Sequence, residues 1–89
     1  MKLFKEWNKR EEIIRVYIVN IKMGKDWATS GEIDNIEDAK RIRDDVVENV
    51  KKGKLFHWKV NNNETDYFIN PINVTSIFIG CEDRFLTSI

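Results

Sequence analysis

The stretch that most constrains this chain is "IIRVYIVNIKM", residues 13–23. It is β-branched and aromatic, contains no breaker, and reads as a β-strand. Period-two alternation puts Ile14, Val16 and Ile18 on one face. Ile13, Tyr17, Val19, Ile21 and Met23 share the other with Arg15. A half-buried strand alternates apolar with polar, whereas this one is apolar on both sides, so both its faces are expected to be covered. Any fold for the chain must supply that cover.

One source of cover lies downstream. Residues 34–53, "DNIEDAKRIRDDVVENVKKG", carry helical periodicity. Ile36, Ala39, Ile42, Val46, Val47 and Val50 fall on one arc, and Arg41, Asp45, Glu48 and Lys52 lie opposite. Asp34 with Glu37 fits a capping box, and Lys51, Lys52 and Gly53 fit a C-terminus. Arg43 falls inside the apolar arc. Its stem can cover the edge of the core while its head reaches water. Alternatively, it can deliver a guanidinium to a cleft to grip a carboxylate or phosphate.

Residues 55–70 read as a hairpin turning at Asn61–Glu64. The expected register sets Val60 opposite Thr65, Lys59 opposite Asp66, Trp58 opposite Tyr67, His57 opposite Phe68 and Phe56 opposite Ile69. It gathers Phe56, Trp58, Val60, Tyr67 and Ile69 on one face, and a one-residue slip would mix the faces. "NPIN", 70–73, is a turn with Pro71 at its first central position. A last strand is expected over 74–80, followed by a tail, 81–89. Residues 1–12 form an N-terminal segment in which Leu3, Phe4 and Trp7 have one-turn spacing, as in a short amphipathic helix.

The expectation is thus one small α+β domain spanning 1–89, in the order β-α-β-β-β. One amphipathic helix packs on a four-stranded, mostly antiparallel sheet. A single helix covers a single face, yet there are too many apolar side chains for one. If Ile14, Val16, Ile18, Phe56, Trp58 and Val74 face the helix, then Tyr17, Val19, Ile21, Phe68, Ile77 and Ile79 lie on the second face. Either the termini or another chain must cover them. The first strand is also longer than the others and would overhang the sheet, offering its backbone to a second chain.

The chemistry-bearing residues are few. "MGKDWATSGEI", 23–33, holds a Gly-Lys pair between a strand and a helix, but a phosphate loop needs a second glycine five residues before that pair and Ser or Thr after it. Asp26 follows instead and would repel phosphate. The stretch reads as a β-to-α connection in which Gly24 ends the strand and Ser30-Gly31 turns the chain. Trp27 is its one unexplained residue: it packs on the core or anchors a partner. One cysteine and one histidine cannot fill a tetrahedral metal site. No spacing places a nucleophile such as Ser76 or Cys81 with His57 and Asp66. No cofactor motif is present.

With 15 basic and 15 acidic residues the net charge is zero, which disfavours nucleic acid as a partner. Phe56, Trp58, Tyr67 and Phe68 on a sheet are the residues that could stack bases if it were one. No apolar run is long enough for a membrane span. A single cysteine and the lack of a secretory apolar region point to the cytoplasm. Richness in Ile, Lys and Asn, which have AT-rich codons, suggests a bacterial or phage gene.

The expected function is therefore a non-enzymatic protein-interaction module, self-associating or binding another protein. The expected contact residues are Trp27, Tyr17, Val19, Ile21, Phe68 and Arg43. The alternatives are single-stranded nucleic-acid binding through sheet aromatics and a small enzyme with a pocket using His57 and Arg43.

Overall fold

A computed structural model describes residues 11–60 and 66–87. The expected N-terminal helix, the tip of the hairpin at 61–65 and the end of the tail at 88–89 lie outside these residues. The described residues form an α+β unit of one α-helix, one 3₁₀ turn and two antiparallel sheets. Strands β1 (Glu11–Met23), β2 (Asp26–Thr29) and β5 (Ser76–Thr87) form the larger sheet in the order β2-β1-β5. Strands β3 (Phe56–Trp58) and β4 (Tyr67–Ile69) pair as a separate hairpin. The helix α1 spans Ile36–Lys52.

This corrects the single four-stranded sheet in two places. First, "DWAT" is a strand. Gly24 and Lys25 make a two-residue turn, with Gly24 at φ 64°, and Met23 pairs with Asp26 across it. A tight hairpin turn needs left-handed backbone, which glycine adopts without a Cβ clash. The Gly-Lys pair is therefore a β-turn, and β1 folds back on itself where the sequence suggested a loop. Second, β5 does not stop at Gly80. It continues through "CEDRFLT" and pairs with β1 from Lys22↔Ser76 to Glu11↔Thr87. The two strands have 13 and 12 residues, so β1 does not overhang unpaired.

Between β2 and the helix the pairing with β1 slips by one residue. Asn20 faces Thr29, but Tyr17 faces Ile33 and exchanges both backbone hydrogen bonds with it, each 2.8 Å. Two residues of β1 thus oppose three in the segment 30–32, which is a β-bulge. Gly31 takes the left-handed conformation there, φ 80°. Ser30 is fully buried at the bulge. Its backbone N–H donates to the Val19 carbonyl, and its Oγ accepts the Val19 N–H at 2.9 Å and donates to the Gly31 carbonyl at 2.8 Å. The hydroxyl replaces the carbonyl that the extra residue displaces from the ladder.

The helix begins one residue later than the capping box implies. Asn35, not Asp34, is the N-cap, and its Oδ1 accepts from the N–H groups of Glu37 and Asp38. Its extended backbone (φ −123°, ψ 129°) is the conformation that lets a side chain fold over the first turn. Gly53 ends the helix at φ 72° and donates to the Val50 carbonyl. Ala39 and Val46 are buried, with Ile42 and Val50 against the same core, while Arg41, Asp45, Glu48 and Lys52 are exposed.

The helix lies over β1 and β5 on the face carrying Tyr17, Val19, Ile21 and Met23. Ile77 and Ile79 join from β5, and Ala28 joins from β2. The covered face is thus the reverse of the one expected: Ile14, Val16 and Ile18 point away from the helix. The reason lies in the neighbours of β1, whose bulk on the Val19 side (Ile77 and Ile79 of β5, Ala28 of β2 and the bridge residue Ile33) makes that side the larger apolar surface. The hairpin β3–β4 has the expected register, Phe56↔Ile69, His57↔Phe68 and Trp58↔Tyr67. Trp58, Val60 and Ile69 complete the core. The 3₁₀ turn Pro71–Asn73 follows, capped by Asn70, with Pro71 buried.

Candidate functional site

The surface opposite the helix is built by the even-numbered residues of β1 and β5 and their partners on β2. Trp27 is directly opposite Lys22, and Phe78 directly opposite Asn20. Both aromatics therefore rise from this face on either side of β1. Their ring centroids are 5.6 Å apart at 87°, an edge-to-face contact. Lys22 Nζ lies 5.5 Å from the Trp27 ring centroid, a cation–π distance. Trp27 nevertheless remains 47% exposed. It does not pack into the core. It stands on the sheet, held on two sides and open on the rest.

Further along this face the surface becomes ionic. Arg84 reaches from β5 to Glu32, with Nε donating at 2.8 Å, and also pairs with Glu82 at 3.0 Å. On the helix-side face Arg15 pairs with Asp83, its direct cross-strand neighbour, at 3.0 Å. The hydrogen bond and charge of Asp83 hold the Arg15 guanidinium above its ordinary range, and those of Glu32 do the same for Arg84.

The other predicted contact residues are dispersed. Val19 and Ile21 are fully buried beneath the helix and Tyr17 is half-buried against the same core, so none of the three forms an open surface. Arg43 is half-buried on the helix and pairs with its neighbour Asp44 at 3.0 Å. Phe68 is 69% exposed on the outer face of the hairpin, its ring 5.0 Å from that of His57. His57 Nε2 lies 3.2 Å from Asp66. Of the four aromatics that could stack bases, Trp58 is buried and Phe56 and Tyr67 are half-buried. Only Phe68 stands open.

A cleft of about 610 Å³ lies where the β1–β2 turn meets β4 and the 3₁₀ turn. Met23, Asp26, Phe68, Asn70, Ile72 and Thr75 contribute to its walls, and His57, Arg43 and Cys81 do not. Cys81 is exposed on β5, opposite Tyr17. Among the described residues no group of three His, Cys, Asp or Glu side chains could hold a metal ion, and no helix is long and apolar enough to cross a membrane.

Phe78 is the exposed aromatic beside Trp27 that sequence reasoning did not single out. The signal was present, because Trp27 and Phe78 share a face once Trp27 is read as a strand residue. No protein-family model matches the chain, and no curated protein or solved structure matches it either.

Proposed function

We propose that this chain is a non-enzymatic protein-interaction module whose main contact is the aromatic pair Trp27–Phe78. The observation that carries this reading is a tryptophan left half-exposed yet fixed in orientation by Phe78 and Lys22. Tryptophan is enriched among the few residues that dominate binding energy at protein interfaces. A side chain already ordered in the free protein loses less entropy on association. The rim, formed by Lys22, Glu32, Glu82 and Arg84, carries both signs of charge, which suits a polar surround to an apolar centre.

The test compares the intact chain with Trp27→Ala and Phe78→Ala as immobilised bait against lysate of the source cell. The expected result is a saturable partner retained by the native chain and lost by both variants, with unchanged circular dichroism. Retention of the same partner by both variants would show that the aromatic pair is not the contact.

A further inference from the structure

The outer edge of β5 is the longest unpaired backbone edge in the described structure, and its charge order is self-complementary. We infer that a second copy of this chain adds across that edge, antiparallel, with Asp83 opposite Asp83 of the second copy. This rests on the reading of the chain as an interaction module and names one partner for it.

Three observations carry the inference. The first is which backbone groups are free. Tyr17 exchanges both its hydrogen bonds with Ile33, so the odd residues of β1 turn their N–H and C=O toward β2 and the even ones toward β5. Each pair in the β1–β5 ladder joins residues of like parity, as in Ile18↔Gly80 and Val16↔Glu82. The even residues of β5 therefore bond to β1, and Ile77, Ile79, Cys81, Asp83 and Phe85 direct their backbone groups outward. Among the described residues β5 pairs with β1 alone. The free edge of β2 has only four residues.

The second is the state of the far end of the sheet. β2 and the bulge reach along β1 only as far as Tyr17. Beyond it, Glu11–Val16 and Glu82–Thr87 form a two-stranded ribbon. The cross-strand pair Ile13 and Phe85 is 63% and 69% exposed there, and Cys81, Glu82, Asp83 and Arg84 are exposed as well. A two-stranded ribbon is marginal by itself in water, and more strands stabilise it. A second ribbon alongside makes it four-stranded.

The third is charge. A two-fold pairing of β5 with itself must match residues of like parity, so that each face of one sheet continues that face of the other. Among such registers, the one centred on Asp83 sets Glu82 against the second copy's Arg84, and Arg84 against its Glu82. Centring on Asp83, Glu82 or Arg84 opposes that residue to its own copy in each case. Only the Asp83 centre adds opposite-charge pairs beside it, since the others set Arg84 against Gly80 or Glu82 against Leu86. Centring on Cys81 would set Ile79 against Asp83. The two central Asp83 side chains are each flanked by Arg15 of their own chain, so the row across the joined sheet is Arg-Asp-Asp-Arg. The same register sets Cys81 against the second copy's Phe85.

That last pairing supplies the test. Cα atoms of directly opposed residues in a hydrogen-bonded antiparallel pair are about 5.5 Å apart, within disulfide range. The full-length chain and Phe85→Cys are examined by light scattering and by non-reducing electrophoresis after mild oxidation. The expected results are a dimer for the native chain and a covalent dimer for Phe85→Cys that disappears when Cys81→Ser is added. Glu82→Arg, which opposes two arginines, is expected to raise the dimer dissociation constant at least tenfold without changing circular dichroism. A dimer that Phe85→Cys fails to trap, and that Glu82→Arg leaves intact, overturns the β5 edge while leaving self-association standing. A strict monomer at the highest soluble concentration overturns the inference outright and marks the charges as guards against edge pairing. Capture of a different protein through Trp27 would survive that result.

Discussion

Arg84 and Glu32 meet across the top of Val16. Glu32 is the last residue of the bulge on one side of β1, level with Ile18, and Arg84 is on β5 on the other side, opposite Ile14. Their ion pair must span β1 diagonally, and Val16 is the residue midway beneath. Val16 is 3% exposed although it points away from the helix and lies outside the helix-side core cluster. Arginine can cover apolar surface with its stem while its guanidinium stays wet. Val16→Ala is expected to cost about 2 kcal/mol through lost burial, read by urea denaturation. Arg84→Ala is expected to destabilise less, to expose Val16, and to lose part of its effect in high salt. The folded-state pKa of Arg84 is raised, so its contribution is complete below the ordinary arginine value and fades only as pH rises through the higher folded value. The difference in stability between native chain and Arg84→Ala should therefore show no arginine titration between about pH 6 and 9.

The bulge at Ser30 makes a sharper prediction. The hydroxyl is the only acceptor shown for the Val19 N–H, and both groups are buried. Ser30→Ala removes one oxygen, changes the packing little, and strands that donor. A buried unsatisfied N–H costs about 1–3 kcal/mol. Equilibrium denaturation should show a loss in that range, and the Val19 amide should lose more hydrogen-exchange protection than the amide of Ile21. Gly31→Ala tests the same feature through the backbone, because a Cβ at φ 80° is strained. It is expected to cost about 1–2 kcal/mol.

The helix start separates two adjacent residues that the sequence makes look equivalent. Asn35 accepts two backbone N–H groups with its side chain, and Asp34 accepts none in the first turn. Asn35→Ala should cost about 1 kcal/mol. Asp34→Ala removes only a favourable charge near the helix N-terminus, a few tenths of a kcal/mol that salt screens. Thermal melts of the two variants at low and high salt decide between them. Equal losses would restore Asp34 as the cap.

How far the fold was legible follows from how much side-chain pattern each element carries. The helix and the β3–β4 register were readable because many side chains in each agree on one face. β2 was not, because four residues, "DWAT", carry too short a period to stand out, and the turn that creates it rests on the backbone freedom of Gly24. The extension of β5 through "CEDR" was hidden for a different reason. A strand beyond the helix buries neither face, so its residues show no apolar alternation, and only the matching length of β1 holds them in a ladder. Asp34 and Asn35 are both good caps, and propensity cannot rank them. The assignment of sheet faces suffered most. β1 is apolar on both sides and so does not say which side the helix covers, and the choice is made by Ile77, Ile79 and Ala28 on the neighbouring strands. Val19 and Ile21 were consequently expected on the outside, and Phe78, on the face that is open, was overlooked.

The hairpin offers a test of that face logic within a few residues. Trp58 and Phe68 are on neighbouring paired strands, one position apart in register, and so point to opposite sides. Trp58 is buried against the core, its ring 6.0 Å from that of Tyr67, whereas Phe68 stands in solvent beside His57. Trp58→Ala should cost about 3–5 kcal/mol, the usual range for removing a buried large aromatic. Phe68→Ala should stay within about 0.5 kcal/mol of the native chain, as exposed substitutions do. Chemical denaturation of both variants measures the two values side by side. A one-residue slip of the hairpin would put Trp58 and Phe68 on the same face, so the two substitutions would then cost alike. Comparable losses for Trp58→Ala and Phe68→Ala would therefore refute the register itself, beyond any one contact in it.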